Sequence, residues 1–193
     1  MLRLTLVCLA VLSLGFLVYS WLGRPAVSVT EVPMLSEYGS YQGANNRHRL
    51  LPHAGVDFGG RLGSPVIAAA DGVVSDLVDW PTGCGRGVVL SHPEFRRYTV
   101  YCHLQETVVR EGQEVARGQP IGRMGMTGMA AGVSHVHLEL CTRACRSHAD
   151  GDLRGTADPL KFSAGCFDPR RSYARGRLVL TYPVACGGVV RAD

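Results

Sequence analysis

The chain begins with an apolar run at residues 4–22, uncharged between Arg3 and Arg24. About 20 apolar residues is the length the hydrocarbon core of a bilayer requires, so residues 1–23 are read as one N-terminal hydrophobic helix. A short linker follows at 24–33. From Met34 onward the apolar positions come in short runs broken by glycine, and no stretch sustains the 3.6-residue period of an amphipathic helix. The runs predict strands at 56–58, 66–69, 72–78, 87–91, 98–103 and 134–140. Turn signals separate them at Gly59-Gly60, Ala70-Asp71-Gly72, Pro81-Thr82-Gly83 and Gly128. Two Gly-Gln units within 112–122 predict a pair of short strands at a sheet corner. After Leu160 the chain turns Arg-rich and loop-like, with one strand expected at 178–182. The pattern predicts an all-β, turn-rich fold from Met34 onward, with a cysteine-containing extension at 163–193.

Composition supports this reading. A chain of 193 residues and 20.8 kDa fits one domain with extensions. Its 24 glycines and 10 prolines suit turns better than helices, and 46% hydrophobic residues against 19% charged exclude a disordered chain. The net charge is +4, but its cations are scattered and all but Lys161 and the His residues are Arg. A nucleic-acid surface needs a continuous basic patch, so no nucleic-acid partner is expected.

The apolar run is either a cleavable signal peptide or an uncleaved signal anchor, and its length favours the anchor. Either way the remainder is exported: anchored in an inner membrane facing the periplasm, or secreted if the segment is cut. Six cysteines follow the run: Cys84, Cys102, Cys141, Cys145, Cys166 and Cys186. An even count in an exported domain implies three disulfides, with connectivity open. Paired CxxC units of a zinc-cysteine site are absent.

Candidate chemistry lies in the histidines. His135 and His137 stand two apart in a strand-like run, so both imidazoles share a face while Val136 and Leu138 face the core. His53 and Asp57 form an H-x3-D unit entering another strand. Alternation along 98–103 places Thr99, Tyr101 and His103 on one face and Cys102 on the other. His48, His92 and His148 sit in polar, turn-like surroundings and are read as surface residues. Two imidazoles with one carboxylate are a common ligand set for catalytic zinc, and further histidines could move protons near neutral pH. Glu139 shares the face of His137, as a partner to a ligand or as a solvent-facing side chain.

Taken together, these units resemble the lysostaphin-type, or LytM-like, zinc metallopeptidases that cut peptidoglycan cross-links. The resemblance runs in order over 34–162. It covers Ser-Glu-Tyr-Gly at 36–39, His-Ala-Gly-Val-Asp-Phe at 53–58, Gly-Ser-Pro-Val-Ile-Ala at 63–68 and Asp-Gly-Val-Val at 71–74. It continues through Tyr-Cys-His-Leu at 101–104, the 112–122 segment, Gly-Met-Thr-Gly at 125–128, His-Val-His-Leu-Glu at 135–139 and Asp-Pro-Leu at 158–160. The resemblance implies zinc ligated by His53, Asp57 and His137, with His103 and His135 acting on water and on the tetrahedral intermediate. It also implies an all-β fold, a compact antiparallel β-sheet domain over 34–162 with a catalytic groove, and peptidoglycan peptides as substrate, and leaves room for a regulatory protein partner. The 141–156 segment, the cysteines and the tail fall outside the family pattern.

Four other functions compare with this one. A non-catalytic module binding peptidoglycan or a hydrolase is opposed by the complete residue set. A lipoyl-type carrier fails because the single lysine, Lys161, is not at a hairpin tip, and a sugar-transport carrier conflicts with export. A peptidase of a protein substrate stays open.

Overall fold

The computed structural model describes residues 32–130, 132–142 and 153–187. The apolar run at 4–22 lies outside them, as does most of the linker. Among the described residues no helix is long and apolar enough to cross a membrane.

Ten strands form an antiparallel sheet, as the alternating pattern predicts. They are β1 Met34–Ser36, β2 Val56–Gly59, β3 Pro65–Ile67, β4 Gly72–Trp80, β5 Gly85–His92, β6 Arg97–Thr107, β7 Glu114–Val115, β8 Pro120–Met124, β9 His135–Cys141 and β10 Thr156–Ala157. The main order is β1-β2-β9-β6-β5-β4-β7, with β10 on β9 and β8 joining β6 to β3. The only helical pieces among the described residues are 3-10 turns at Pro93–Phe95 and Pro159–Phe162.

The sheet has two unlike faces. Val56 and Phe58 of β2, Val136, Leu138 and Leu140 of β9, Tyr101 of β6 and Leu90 of β5 are buried in the main core. Alternation then turns Asp57, His135, His137 and Glu139 to the opposite face, beside a smaller cluster of Val78, Cys84, Val89, Val100, Cys102 and Cys141. Each fully buried Val or Leu contributes about 1.5–3 kcal/mol. Both faces of β9 are largely buried, so a one-residue slip would drive His135, His137 and Glu139 into the apolar core and turn its apolar set into the polar site; hydrophobic burial thus fixes the register that the site depends on.

Two sequence expectations fail. Residues 178–182 form no strand: Leu180 makes one parallel bridge to Ser163, and the next amide, Thr181 N, donates to Ala69 O instead. The segment crosses between loops rather than following an edge, though Leu178 and Leu180 are buried. His92 is not a surface residue. It is 2% exposed, with Nδ1 donating to Asp71 O at 2.7 Å and Nε2 2.9 Å from Thr99 Oγ1. Thr99 Oγ1 lies 3.2 Å from the Tyr101 hydroxyl, which accepts from Ala69 N. This polar chain is paired inside the core, which is what makes such burial tolerable.

Disulfides join Cys84 to Cys102 and Cys166 to Cys186, and Cys141 is disulfide-bonded as well. The Cys166–Cys186 bridge ties down the tail, whose Leu178, Leu180 and Val184 pack into the main core.

Candidate metal centre

β2 and β9 pair with Asp57 opposite His137 and Gly59 opposite His135. His53 sits just before β2, where Gly39 N donates to its carbonyl and its amide donates to Ser40 O. His53, Asp57 and His137 converge as a group that could hold a metal ion. His53 Nε2 and His137 Nδ1 are 2.8 Å apart, and each lies 3.0 Å from Asp57 Oδ1.

The residues around the cluster set the imidazole tautomers. His53 Nδ1 is 3.1 Å from both the Glu37 carbonyl and Ser36 Oγ. A carbonyl only accepts, so the His53 proton is on Nδ1 and Nε2 presents a lone pair. His137 Nε2 faces the buried Glu139 carboxylate at 3.7 Å, which favours the proton there and leaves Nδ1 bare. Two nitrogen lone pairs and a carboxylate oxygen thus point at one spot. That arrangement requires a positive charge at its centre, either an extra proton or a metal ion. Ligands at about 2.0–2.1 Å from zinc stand roughly 3.3 Å apart in a tetrahedron, so the three atoms need to open by only a few tenths of an ångström. The donor set fits zinc.

The acidities follow the same logic. Burial resists charge on His137, but the Asp57 and Glu139 carboxylates outweigh it and raise its pKa to about 9. Burial would raise the Asp57 pKa, yet the hydrogen bond from His137 and the two adjoining imidazoles hold it well below the usual carboxylate range. Burial lowers the pKa of His53, outweighing the Asp57 hydrogen bond. In the metal-free protein the required positive charge is a proton on His137.

His103 and His135 stand beside this cluster, with their ring centroids 4.7 Å apart and His103 6.1 Å from His137. His103 Nδ1 donates to Thr127 O at 2.9 Å and His135 Nδ1 to Val133 O at 2.8 Å. Each ring therefore has Nε2 as its basic nitrogen. Burial depresses both, with the neighbouring histidines helping to bring His103 down to about 3. Both rings are neutral near pH 7.

The route by which His103 arrives corrects the alternation argument. Tyr101 does face the core and Cys102 the other side, but His103 lines the same groove as Cys102. Its φ is +67°, and pairing with β5 jumps from Tyr101↔Val88 to Leu104↔Arg86. Two residues of β6 therefore oppose only Gly87 in a bulge, which re-aims the side chain.

Sequence reasoning missed Arg49. Its Nη2 donates to Asp57 Oδ2 at 2.9 Å, on the carboxylate oxygen turned away from the two histidines. Nothing in its position, eight residues before Asp57 in a polar loop, marks it. The groove over the cluster encloses about 400 Å³ and is walled by Arg47, Leu50 and Leu51 on one side and by Met129 and the Cys84–Cys102 disulfide on the other. Leu50 and Met129 are exposed, at 96% and 67%.

Residues 51–149 match the sequence profile of peptidase family M23. The chain is 45% identical over 100 residues to an uncharacterized metalloprotease of Haemophilus influenzae, covering 49% of this chain and 20% of that protein. It is 42% identical over 95 residues to the peptidoglycan DD-endopeptidase ShyA of Vibrio cholerae, covering 49% and 21%. With the murein hydrolase activator NlpD of Escherichia coli it is 32% identical over 111 residues, covering 58% and 26%. The matches thus span about a fifth to a quarter of these relatives. Among solved structures, the catalytic domain of the peptidase lysostaphin from Staphylococcus simulans aligns with a TM-score of 0.58 at 25% identity, over 72% of this chain and 97% of that one.

Proposed function

The chain belongs to peptidase family M23, and from that premise we propose that it is a working zinc endopeptidase that hydrolyses peptide bonds in peptidoglycan cross-links. The observation that carries this reading is the completeness of the cluster: three converging donors, with two further imidazoles whose basic nitrogens are set by backbone carbonyls.

His53, Asp57 and His137 would hold the ion. Zinc supplies Lewis-acid chemistry there, lowering the pKa of a water to about 7 and polarising a carbonyl. Arg49 holds the second oxygen of Asp57 and so orients the first toward the histidines. Glu139 does the same for the His137 ring. His103 and His135, neutral and with Nε2 unprotonated, are suited to take the proton from the attacking water and return it to the leaving amine. Their Nδ1 bonds to Thr127 O and Val133 O keep the rings from turning away. The exposed leucines and Met129 along the groove offer an apolar surface to a peptide.

An activator without catalysis is the second reading, favoured by the likeness to NlpD. We infer export from the relatives that act on peptidoglycan, with residues 1–23 as anchor or signal.

The deciding experiment incubates the zinc-loaded full chain, in detergent, with purified peptidoglycan and identifies released muropeptides by mass. Chelator-sensitive release is expected, lost in His53→Ala along with the zinc, and lost in His135→Ala with most zinc retained. A folded, zinc-loaded protein that releases nothing would move the assignment to the activator.

A further inference from the structure

Residues 159–187 contain five cations, Lys161, Arg170, Arg171, Arg175 and Arg177, and one carboxylate, Asp168. Asp168 is already taken by Arg170 at 3.2 Å. Elsewhere on the surface some arginines pair with acids, as Arg123 does with Glu106 and Arg86 with Asp79. Among the described residues, no ion pair of this kind reaches Lys161, Arg171, Arg175 or Arg177.

Three of these cations line one cleft. It encloses about 560 Å³ and is walled by Lys161, Arg171, Arg177, Ser163, Ser172 and Tyr173, with no carboxylate in its lining. A larger cleft beside it has Arg117, Arg171, Arg175 and Arg177, but its wall also includes Asp71, Glu94 and Glu114, which offset most of the positive field. The smaller cleft shares no lining residue with the groove over the metal centre.

All three cations are exposed, and Arg171 is held in place. Arg171 Nη1 donates to Ala164 O at 3.1 Å, and its guanidinium lies 5.5 Å from the Tyr173 ring centre. The Tyr173 hydroxyl accepts from Asp168 N, and its ring stacks on Phe167. The Cys166–Cys186 bridge closes residues 166–186 into a loop, and the buried Leu178 and Leu180 anchor that loop in the main core. Holding three like charges around one concavity raises the energy of the unliganded protein, and an anion entering it relieves that repulsion. Guanidinium groups match the planar, two-oxygen geometry of a carboxylate.

We propose that the cleft between Lys161, Arg171 and Arg177 is a second binding site, taking the carboxylates of peptidoglycan stem peptides and holding the enzyme on its polymer. This rests on the reading of the chain as a peptidoglycan peptidase. A polymer that repeats the same acidic peptide many times can fill the groove and the cleft together, so a weak second contact adds retention by raising effective concentration.

The test sediments the full chain, in detergent and with zinc removed by chelator, with purified sacculi at rising salt. The wild type is expected to pellet, with retention falling as salt rises. Lys161→Gln/Arg171→Gln/Arg177→Gln should bind at least tenfold more weakly, while Arg171→Lys/Arg177→Lys, which keeps the charge, stays within about threefold of wild type. With zinc restored, all three proteins should cut a soluble cross-linked muropeptide dimer at rates within about twofold. Unchanged sedimentation of the triple glutamine variant overturns the site. So does capture by phosphatidylglycerol vesicles, or competition by inorganic phosphate, that depends on the three cations while sacculus binding does not. Failure of every protein, wild type included, to cut the soluble dimer would instead strike the catalytic reading, which the sedimentation does not depend on.

Discussion

Gly55 lies directly against the ring of His137. A β-carbon at residue 55 would stand 2.7 Å from His137 Cε1 and 2.4 Å from the Leu138 carbonyl oxygen. The glycine of the His-Ala-Gly-Val-Asp segment is thus required for close approach of the chain entering β2, which carries Asp57, to β9, which carries His137.

Gly55→Ala should therefore disturb both packing and metal binding. The obstructing oxygen is backbone, so β2 and β9 must separate locally. Overpacking of this kind costs about 1–3 kcal/mol. The expected outcome is a Tm lower by several degrees and a weakened zinc site, read by thermal denaturation with and without metal and by zinc titration. A variant with wild-type zinc affinity would show that the strands yield without moving His137.

Arg49 is the side chain that fixes Asp57 from behind. Outer partners of ligands typically change metal affinity by about 10–100-fold when removed. Arg49→Met should weaken zinc binding by that order, and Arg49→Lys, which can still donate one hydrogen bond to Oδ2, should recover part of it. Competition with a chelating dye measures both. Equal affinity in all three proteins would mean that Asp57 is oriented by the histidines alone.

The disulfide Cys84–Cys102 stands beside His103 in the groove wall, and His103 N donates to Cys84 O at 2.8 Å. The bridge closes a sequence separation of 18, a loop length for which the entropic stabilisation is about 3 kcal/mol. It also braces the bulge that holds His103 at positive φ. Cys84→Ser/Cys102→Ser should lower Tm and reduce turnover at least tenfold while zinc content stays near wild type. Turnover unchanged in the folded double variant would show that the bulge holds without the bridge.

The parts of this site visible in the sequence were those governed by strand periodicity. His135 and His137 share a face because they are two apart, and Val136 and Leu138 are buried for the same reason. The resemblance to lysostaphin-type enzymes supplied the grouping of His53 and Asp57 with them. His103 could not be placed by alternation, because a non-glycine residue at φ +67° interrupts the period. Arg49 reaches Asp57 only because its loop folds back, a tertiary fact with no local signal. His92 was misplaced for a similar reason: its partners, Asp71 O and Thr99, come from other strands and loops, and turn-like neighbours said nothing about them.

The last prediction concerns protons. Metal-free His137 is raised to about 9 by Asp57 and Glu139, against its burial, so below that pH the cluster is centred on a proton. Zinc must displace it. Apparent zinc affinity should fall about tenfold for each unit of pH lowered below 9, and calorimetry near pH 7.5 in buffers of different ionisation enthalpy should record close to one proton released per zinc. The same shift sets the stability of the metal-free protein. A histidine whose folded pKa exceeds its unfolded value contributes stability that is complete below about 6.5 and is lost as pH rises through about 9. Zinc replaces that contribution, so the metal-free protein should lose Tm between pH 7 and 9.5 through this residue, and the zinc-loaded protein should not. His137→Gln should remove the loss of Tm between pH 7 and 9.5 from the metal-free protein; a loss that survives the substitution would place the proton on another group.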